Sequence, residues 1–563
     1  GASNNGNFID AQIAEIMVFN ETPTALKQQQ IESYLAIKYG FTLSTIEYQT
    51  SSTIIEGDYI LADQTTKVWD YTANSAYHND VAGIGRDDAL VLNQKQSKSI
   101  NSDAIITIGL DAIATTNQTN ANTFATNKDF MMWGNNNGSV LAADVSETEF
   151  ICAPEKTLAR SWKVVERGSV AAVQIAANKT TLDNALVTPN TVKVFKVADD
   201  ASFTTNVEYI PLTSETINSE DVYTVDYDFV GTKYFTYSEI NGIFWSGDTN
   251  TWTGGNSAAV TGGPSLNAND TDKVMVIDAK GGNNAFLNES AEIECLWIKP
   301  SSKLIIADEN YLEFDEDFIL NGEMRLIGDA QLLQTHTGLS NVQGTGLLYR
   351  DQKSSVEDVY KYNYWTSPVR EVGKATFTVD AVMKDGTTPT GENTTPLDIN
   401  WISLDDGSPN RGLNGATTSP ITLSTWWIYT FLNGEDDSSY IQQFETGIIQ
   451  RGQGFIMKNS GRTGGQNYTF VGTPNDGTIE ISLDADDPAE NISTSSLVGN
   501  PYPSALDATD FITDNQGAID GTLYFWQQTG EDDTSTGISG HFANGYQGGY
   551  ATRNLAMGLS ARD

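Results

Sequence analysis

Four apolar runs, Leu304–Ile306, Leu312–Phe314, Phe318–Leu320 and Met324–Leu326, follow one another at intervals of about eight residues. Turn residues stand between them, including Asp308 to Asn310 and the pair Asn321, Gly322. Runs this short and this closely spaced cannot form helices, because an amphipathic helix needs its apolar residues at offsets of three and four over several turns. The stretch from residue 241 to 345 is therefore expected to be a ladder of very short strands, either a small solenoid or a meander. On both sides of it, residues 51–240 and 346–563 alternate polar and apolar positions between Asn, Asp and Gly clusters, as short strands do.

One segment breaks this pattern. In Ile31 to Leu43, IESYLAIKYGFTL, the residues Ile31, Tyr34 and Leu35 share one helical face, and the stem of Lys38 lies beside them. Thr22 and Pro23 are the expected N-cap and first helical position, and Gly40 the stop. A strand is expected just before, at Ile13 to Phe19.

Composition narrows the function classes. The chain has 563 residues, enough for several domains, and 73 acidic against 32 basic residues give a net charge of −41. Such a charge repels nucleic acid and anionic membrane and suits a solvated surface in saline water or one holding divalent cations. With only 19% charged and 39% hydrophobic residues, the composition is that of a folded, turn-rich β protein, not a disordered acidic one. No apolar run is long enough to span a membrane as a helix, and no signal peptide opens at Gly1. The two cysteines, Cys152 and Cys295, lie in separate segments. A bond between them would have to cross domains, so Cys295, alternating with Ile293 and Trp297, is read as a small core hydrophobe, with the pairing left open.

Little points to catalysis. His78, His336 and His541 are far apart, no HExxH or GxSxG is present, and each histidine is expected in a turn or at the surface. The GxG of Gly83 and Gly85 is read as a tight turn, with Arg86 pairing locally with Asp87 or Asp88; it lacks the third glycine and the helix of a nucleotide site. Oxygen ligands clustered on turns suit Ca2+. The candidate ligands are Asp484, Asp486, Asp487 and Glu490 in DADDPAEN, and Asp405, Asp406 and Asn410 in DDGSPN. Solvated acidic turns are the plainer alternative for both. Trp426 and Trp427, adjacent in STWWIYTF, would point to opposite faces of a strand, so that one enters the core and the other, if its face is uncovered, could stack on a sugar ring; burial of both between two sheets is the plainer alternative. Trp365 and Trp526 are read as core anchors and Asn500 to Pro503, NPYP, as a rigid turn under Tyr502.

Several phrases carry a resemblance. These are the KYG helix, VAGIGRDDALVLNQKQS at Val81 to Ser97, DFMMWGNNNG at Asp129 to Gly138, RSWKVVERG at Arg160 to Gly168, WSGDTNTW at Trp245 to Trp252, YNYWTSPV at Tyr362 to Val369, GQGFIMK at Gly452 to Lys458, YTFVGTPNDG at Tyr468 to Gly477, and GNPYPSALDATDFI at Gly499 to Ile512 with YFW at Tyr524 to Trp526. The set resembles large secreted cell-surface, adhesin-like proteins of Bacteroidota exported by the type IX secretion system. The resemblance implies an internal piece of a longer protein, with the end of a lectin-like jelly roll plus the helix at 1–50, a β-sandwich module of unknown activity at 51–240, the short-strand ladder at 241–345, and a β-sandwich module at 346–563 preceding a sorting domain. It implies an extracellular location and contact with the type IX translocon during export.

The expected protein is thus all-β, with several β-sandwich or jelly-roll-like modules in series, a solenoid or meander in the middle and one short amphipathic helix near the N-terminus. The expected function is that of a non-catalytic adhesin-like or structural stalk, not an enzyme, whose partners are polysaccharide or copies of itself and never nucleic acid or a membrane interior. Two other readings stand beside it: a subunit of a homopolymeric filament or sheath, and an accessory carbohydrate-binding region of a polysaccharide-degrading enzyme.

Overall fold

The computed structural model describes residues 13–46, 56–141, 145–247, 250–279, 282–354, 356–387, 395–403, 414–484, 493–528 and 548–561. Strands make up 39% and helices 10%, so the chain is mostly β, with several antiparallel sheets and a central β-solenoid of about six turns. It divides into two compact units. One covers the chain to Thr148, Glu155–Pro189 and Lys193–Glu239; the other covers Glu149–Pro154, Asn190–Val192 and the chain from Ile240 onward.

In the first unit a nine-stranded and a five-stranded antiparallel sheet enclose a core that includes Ile84, Ile108, Trp133, Trp162, Ile175, Phe195 and Phe235. The strand Phe130–Asn135 shows how this sandwich is read from its sequence: every residue is buried. Alternate side chains of a strand point to opposite faces, so Met131 and Trp133 enter the sandwich core while Phe130 and Met132 enter a second core on the other side. The helix Ala25–Tyr39 closes that second core with Ala36 and Ile37, against Trp69, Val81 and Leu92. The boundary expected at residue 50 therefore falls inside this unit, and the helix packs with the strands that follow it.

The helix differs in detail from its sequence reading. Its N-cap is Thr24, whose Oγ1 accepts from Lys27 N at 3.2 Å, not Thr22, and Pro23 lies one residue outside. Gly40 does end it, at φ 73°, in the left-handed conformation that costs glycine least. The most buried face is Gln29, Gln30, Ser33, Ala36 and Ile37 instead of Ile31, Tyr34 and Leu35. Small Ser33 and Ala36 let the helix come close, and Ser33 Oγ accepts from Ile60 N at 3.0 Å. The expected face instead holds one carboxylate: Glu15 accepts from Lys38 Nζ and the Tyr39 hydroxyl, both at 2.9 Å, and from the Tyr34 hydroxyl at 3.3 Å. Ile13–Phe19, read as a strand, is irregular and pairs with no strand among the described residues, with Ile16 and Val18 exposed.

Gly83 and Gly85 do not form a turn either. Both lie within the strand Asn79–Asp87, opposite Met132 and Phe130, whose side chains cross over them and would collide with any Cβ. Gly85→Ala is expected to cost about 1–3 kcal/mol by overpacking, read as a lower denaturation midpoint of this unit. Arg86 pairs with Asp88 through Nε at 2.6 Å, while buried Asp87 accepts from the Ala62 and Ala89 amides.

In the second unit, parallel pairing settles the ladder as a solenoid. Gly242–Ser246, Val274–Asp278, Cys295–Ile298, Phe318–Leu320 and Val342–Gln343 run parallel along one wall. Ala285–Leu287, Lys303–Ile306, Glu323–Leu326 and Leu347–Lys353 form a second wall, and Ala291–Glu292, Tyr311–Phe314 and Gln331–Gln334 a third. Equivalent residues stack inside: Met275 on Leu296 on Phe318, Leu304 on Met324 on Leu348, and Leu312 on Leu332. The stacking also aligns acids outside, where Glu292 faces Glu313. Burial, and then Glu292 and Asp315, hold the Glu313 carboxyl above its usual range. A carboxyl raised in the folded state makes its ionised form a net cost, absent at pH below the unfolded value of about 4.3 and developed once pH exceeds the folded one. Glu313→Gln is therefore expected to stabilise this unit by about 0.2–1 kcal/mol at neutral pH, with the gain vanishing near pH 3 in denaturation melts.

Exposed solenoid edges invite pairing with other chains, and here residues 467–478 and 500–505 cover all three walls at the C-terminal end. Asn467–Pro474 pairs antiparallel with Leu347–Lys353 on the second wall, so the boundary expected at 345/346 also falls inside a unit. The NPYP turn caps the third, with Pro503 O accepting from Leu332 N at 3.0 Å and Gln331 Oε1 accepting from Ala505 N at 2.7 Å. On the first, Asp476 accepts from Asn341 N at 2.7 Å, and Thr478 N donates to Gly338 O.

Cys152 and Cys295 form a disulfide, 6.3 Å apart at Cα. The obstacle that disfavoured the pairing disappears because Glu149–Pro154 belongs to the second unit, at the tip of the hairpin formed by Val145–Phe150 and Ala153–Leu158. The alternation around Cys295 holds, but the face is reversed: Leu296 and Ile298 fill the solenoid, while Cys295 and Trp297 point outward beneath the tip, where Phe150 packs on Trp297 at 5.8 Å. Among the described residues no helix is long and apolar enough to cross a membrane, which does not bear on β-barrels.

Candidate ligand-binding face

A four-stranded antiparallel sheet, Tyr362–Trp365, Phe455–Lys458, Tyr429–Thr430 and Ile441–Gln442, sorts its aromatic residues by register. Trp365, Phe455 and Met457 face the core, Trp365 lying 5.3 Å from Tyr468. The opposite face carries Tyr362, Tyr364, Tyr429, Ile456 and Lys458. Lys458 is buried beneath rings: its Nζ lies 4.1 Å from the Trp427 centroid and 4.8 Å from that of Tyr362. A desolvated cation in such a place contributes about 2 kcal/mol and holds both rings in position.

The face continues. Tyr364, 40% exposed, shares a hydroxyl hydrogen bond with Tyr440, and Tyr550 lies near both. Burial, ahead of the Tyr440 and Tyr550 phenols, pushes Tyr364 well above the usual tyrosine range, and burial raises Tyr440 in spite of its hydrogen bond to Tyr364, so both stay neutral. Tyr440 packs on Phe431 at 4.7 Å. In the sheet Leu523–Gln528, Gly548–Arg553 and Gly558–Leu559, register puts Tyr524, Trp526 and Tyr550 on one side, with the Tyr524 and Trp526 ring centroids 6.2 and 5.1 Å from that of Tyr550. Tyr524 and Tyr550 are 59% and 55% exposed. Trp526, expected in the core, is part of this outer row.

The sequence candidates meet mixed outcomes. Trp426 and Trp427 lie in a single 3-10 turn, Thr425–Trp427, set by Ser424 Oγ accepting from Trp426 N, and not in a strand with opposed side chains. Trp427 covers Lys458; Trp426 is half exposed and meets Phe444 edge-on at 6.4 Å. Of the calcium candidates, Asp405, Asp406, Asn410, Asp486, Asp487 and Glu490 lie outside the described residues. Asp484 is exposed, and its amide donates to Asn433 Oδ1 at 3.1 Å. Among the described residues no group of three or more His, Cys, Asp or Glu is arranged to hold a metal.

His541 also lies outside the described residues, and the other two histidines are not surface residues. His78 is buried, with Nδ1 accepting from Trp69 Nε1 and Nε2 donating to Leu43 O, both at 3.0 Å; burial lowers its pKa and keeps it neutral. Leu43 also lines a recess of about 270 Å3 with Gln29, Glu32, Thr42 and Asp58. His336 Nε2 lies 3.2 Å from buried Asp476, which accepts from Ser340 Oγ at 2.5 Å and faces Arg370. The carboxylate stands between serine and histidine, so the imidazole does not reach the hydroxyl as it does in a Ser-His-Asp triad, and the cluster ties the solenoid end to its cap. The aromatic outer face had little signal in the sequence, because its rings come from five separated segments.

Fold and site together define a multidomain β protein with sandwich-like sheets, a capped solenoid and an exposed aromatic face. Residues 27–228 match a family model described as a domain of unknown function, DUF8202, and residues 401–560 match another so described, DUF8693. The first match begins in the helix and runs through the sandwich, in keeping with their shared cores; the second contains Trp427, Tyr440, Lys458, Trp526 and Tyr550. No curated protein and no solved structure matched the chain.

Proposed function

We propose that the chain is a non-catalytic, adhesin-like segment of an exported cell-surface protein, in which rigid β modules in series carry adhesive contacts outward from the cell. The observation that carries this reading is the Cys152–Cys295 disulfide, which closes a span of 143 residues. Such bonds form and persist in oxidising compartments and are rare in the cytosol. The solenoid supports it as well: nearest-neighbour stacking gives an elongated element whose stability is spread along its length, and its C-terminal edges are covered. The phrases that resemble those of type IX cargo imply the route of export.

The test uses the native cells. Intact cells treated with external protease should lose the chain, the isolated protein should titrate no free thiol, and disabling the type IX system should leave the chain protected inside the envelope. Protection from protease in intact wild-type cells, or two free thiols in protein isolated under thiol-blocking conditions, would overturn the reading.

A further inference from the structure

We propose that the aromatic outer face formed by Tyr362, Tyr364, Tyr440, Tyr524, Trp526 and Tyr550 is a binding site for an uncharged polysaccharide chain. The proposal deepens the adhesive reading by giving it a ligand class, yet binding by the purified protein does not depend on export. The rings here are tyrosine and tryptophan, which join an apolar body to a polar tip and are suited to a surface wet on one side. They lose little conformational entropy on contact, having only two side-chain torsions each. Their centroids stand 5.1 to 6.4 Å from one another within the Trp526–Tyr550, Tyr524–Tyr550 and Tyr362–Trp427 pairs, a spacing on the scale of one sugar ring. The paired rings meet edge to face at 69° to 89°, so each pair offers one ring to stack against and one edge to border it, which fits a single chain better than a flat crystalline surface.

Charge selects among ligands that stack on aromatic rings. Nucleobases use the same kind of platform but bring phosphates, and a chain of net charge −41 repels them. Lys458, the cation beneath this face, is buried under Trp427 and Tyr362 and presents little positive charge outward. Asp437 lies close enough to Tyr364 and Tyr440 to raise both phenols, which adds negative potential at the rim. Anionic glycans are disfavoured for the same reason. What remains is a neutral chain with apolar ring faces for stacking and hydroxyls for the tyrosine tips.

The test is depletion of the purified full chain by insoluble cellulose, chitin and mannan, and retardation by soluble neutral β-glucans in native gels, with alginate and pectate as anionic counterparts. At least one neutral polysaccharide should bind. The double variant Tyr524→Ala/Tyr550→Ala should weaken that binding at least tenfold, whereas Tyr364→Phe, which keeps the ring, should weaken it less. Both tyrosines of the double variant are exposed, and an unchanged melting temperature will show that the fold is intact. Absence of binding to every neutral polymer, undiminished binding by the double variant, or preference for the anionic polymers would overturn the proposal. So would concentration-dependent self-association abolished by the double variant, since that would identify a second copy as the occupant. Failure of the cell-surface test would leave these outcomes unaffected.

Discussion

Loss of the Cys152–Cys295 bond, by Cys152→Ser/Cys295→Ser or by reduction, is expected to destabilise the second unit by about 2–5 kcal/mol. The bond closes 143 residues, and a loop that long restricts the unfolded chain strongly. Cys295 is fully buried, so reductant alone should act slowly until the hairpin tip opens. Calorimetry of wild type and double variant under oxidising conditions measures the effect. A second readout is mechanical. When the chain is pulled from its ends, the force path runs through the sulfur atoms, and the residues between Cys152 and Cys295 carry no load. Breaking the bond should therefore lengthen the fully extended chain by on the order of 480 Å, at about 3.3–3.6 Å per residue. Force spectroscopy giving the same total extension with and without the bond would contradict the connectivity.

Asp476→Ala is expected to cost about 3–5 kcal/mol, because it strands buried Arg370 without its counter-charge. The carboxylate accepts from Ser340 Oγ and Asn341 N, lies 3.4 Å from Arg370 Nη1, and is fully buried at the solenoid end. Arg370 also donates to Pro474 O and to Ser340 Oγ, so one carboxylate holds together the capping strand and the last strand of the first wall. Asp476→Asn preserves the shape and should cost less. Hydrogen exchange should then rise first at residues 338–343 and 467–478, where the cap meets the solenoid. Exchange that increased uniformly over the unit would mean that the cluster is not a local clasp.

Much of the fold was legible in the sequence, for a physical reason. Alternation and short apolar runs encode which side chains face away from water, and that suffices for the all-β class and for the strands at 304–326. Gly40 was legible because a left-handed residue after a helical pattern is a local requirement. Pairing partners were not legible. A solenoid and a meander have the same short strands and differ only in whether each pairs with its sequence neighbour or with one a full coil away. The faces were also ambiguous: Phe130 to Trp133 is continuously apolar, and only the helix on one side and the second sheet on the other explain why.

The candidate site followed the same division. Single aromatic residues stood out, but Trp426 and Trp427 drew attention by being adjacent, and a serine-capped turn gives adjacent residues no alternation. The six rings of the outer face lie between Tyr362 and Tyr550 in segments whose proximity comes only from tertiary packing.

By itself the sequence determined the β class, the short-strand rhythm of the centre, the helix and its glycine stop, and a surface charge hostile to polyanions, since these depend on local periodicity and composition. Only the tertiary structure decided the parallel stacking of the solenoid, its cap from residues 467–478 and 500–505, the disulfide to the hairpin tip and the gathering of the aromatic face. Each of these joins residues far apart in the chain, and local sequence patterns do not encode which distant partner a buried face will meet.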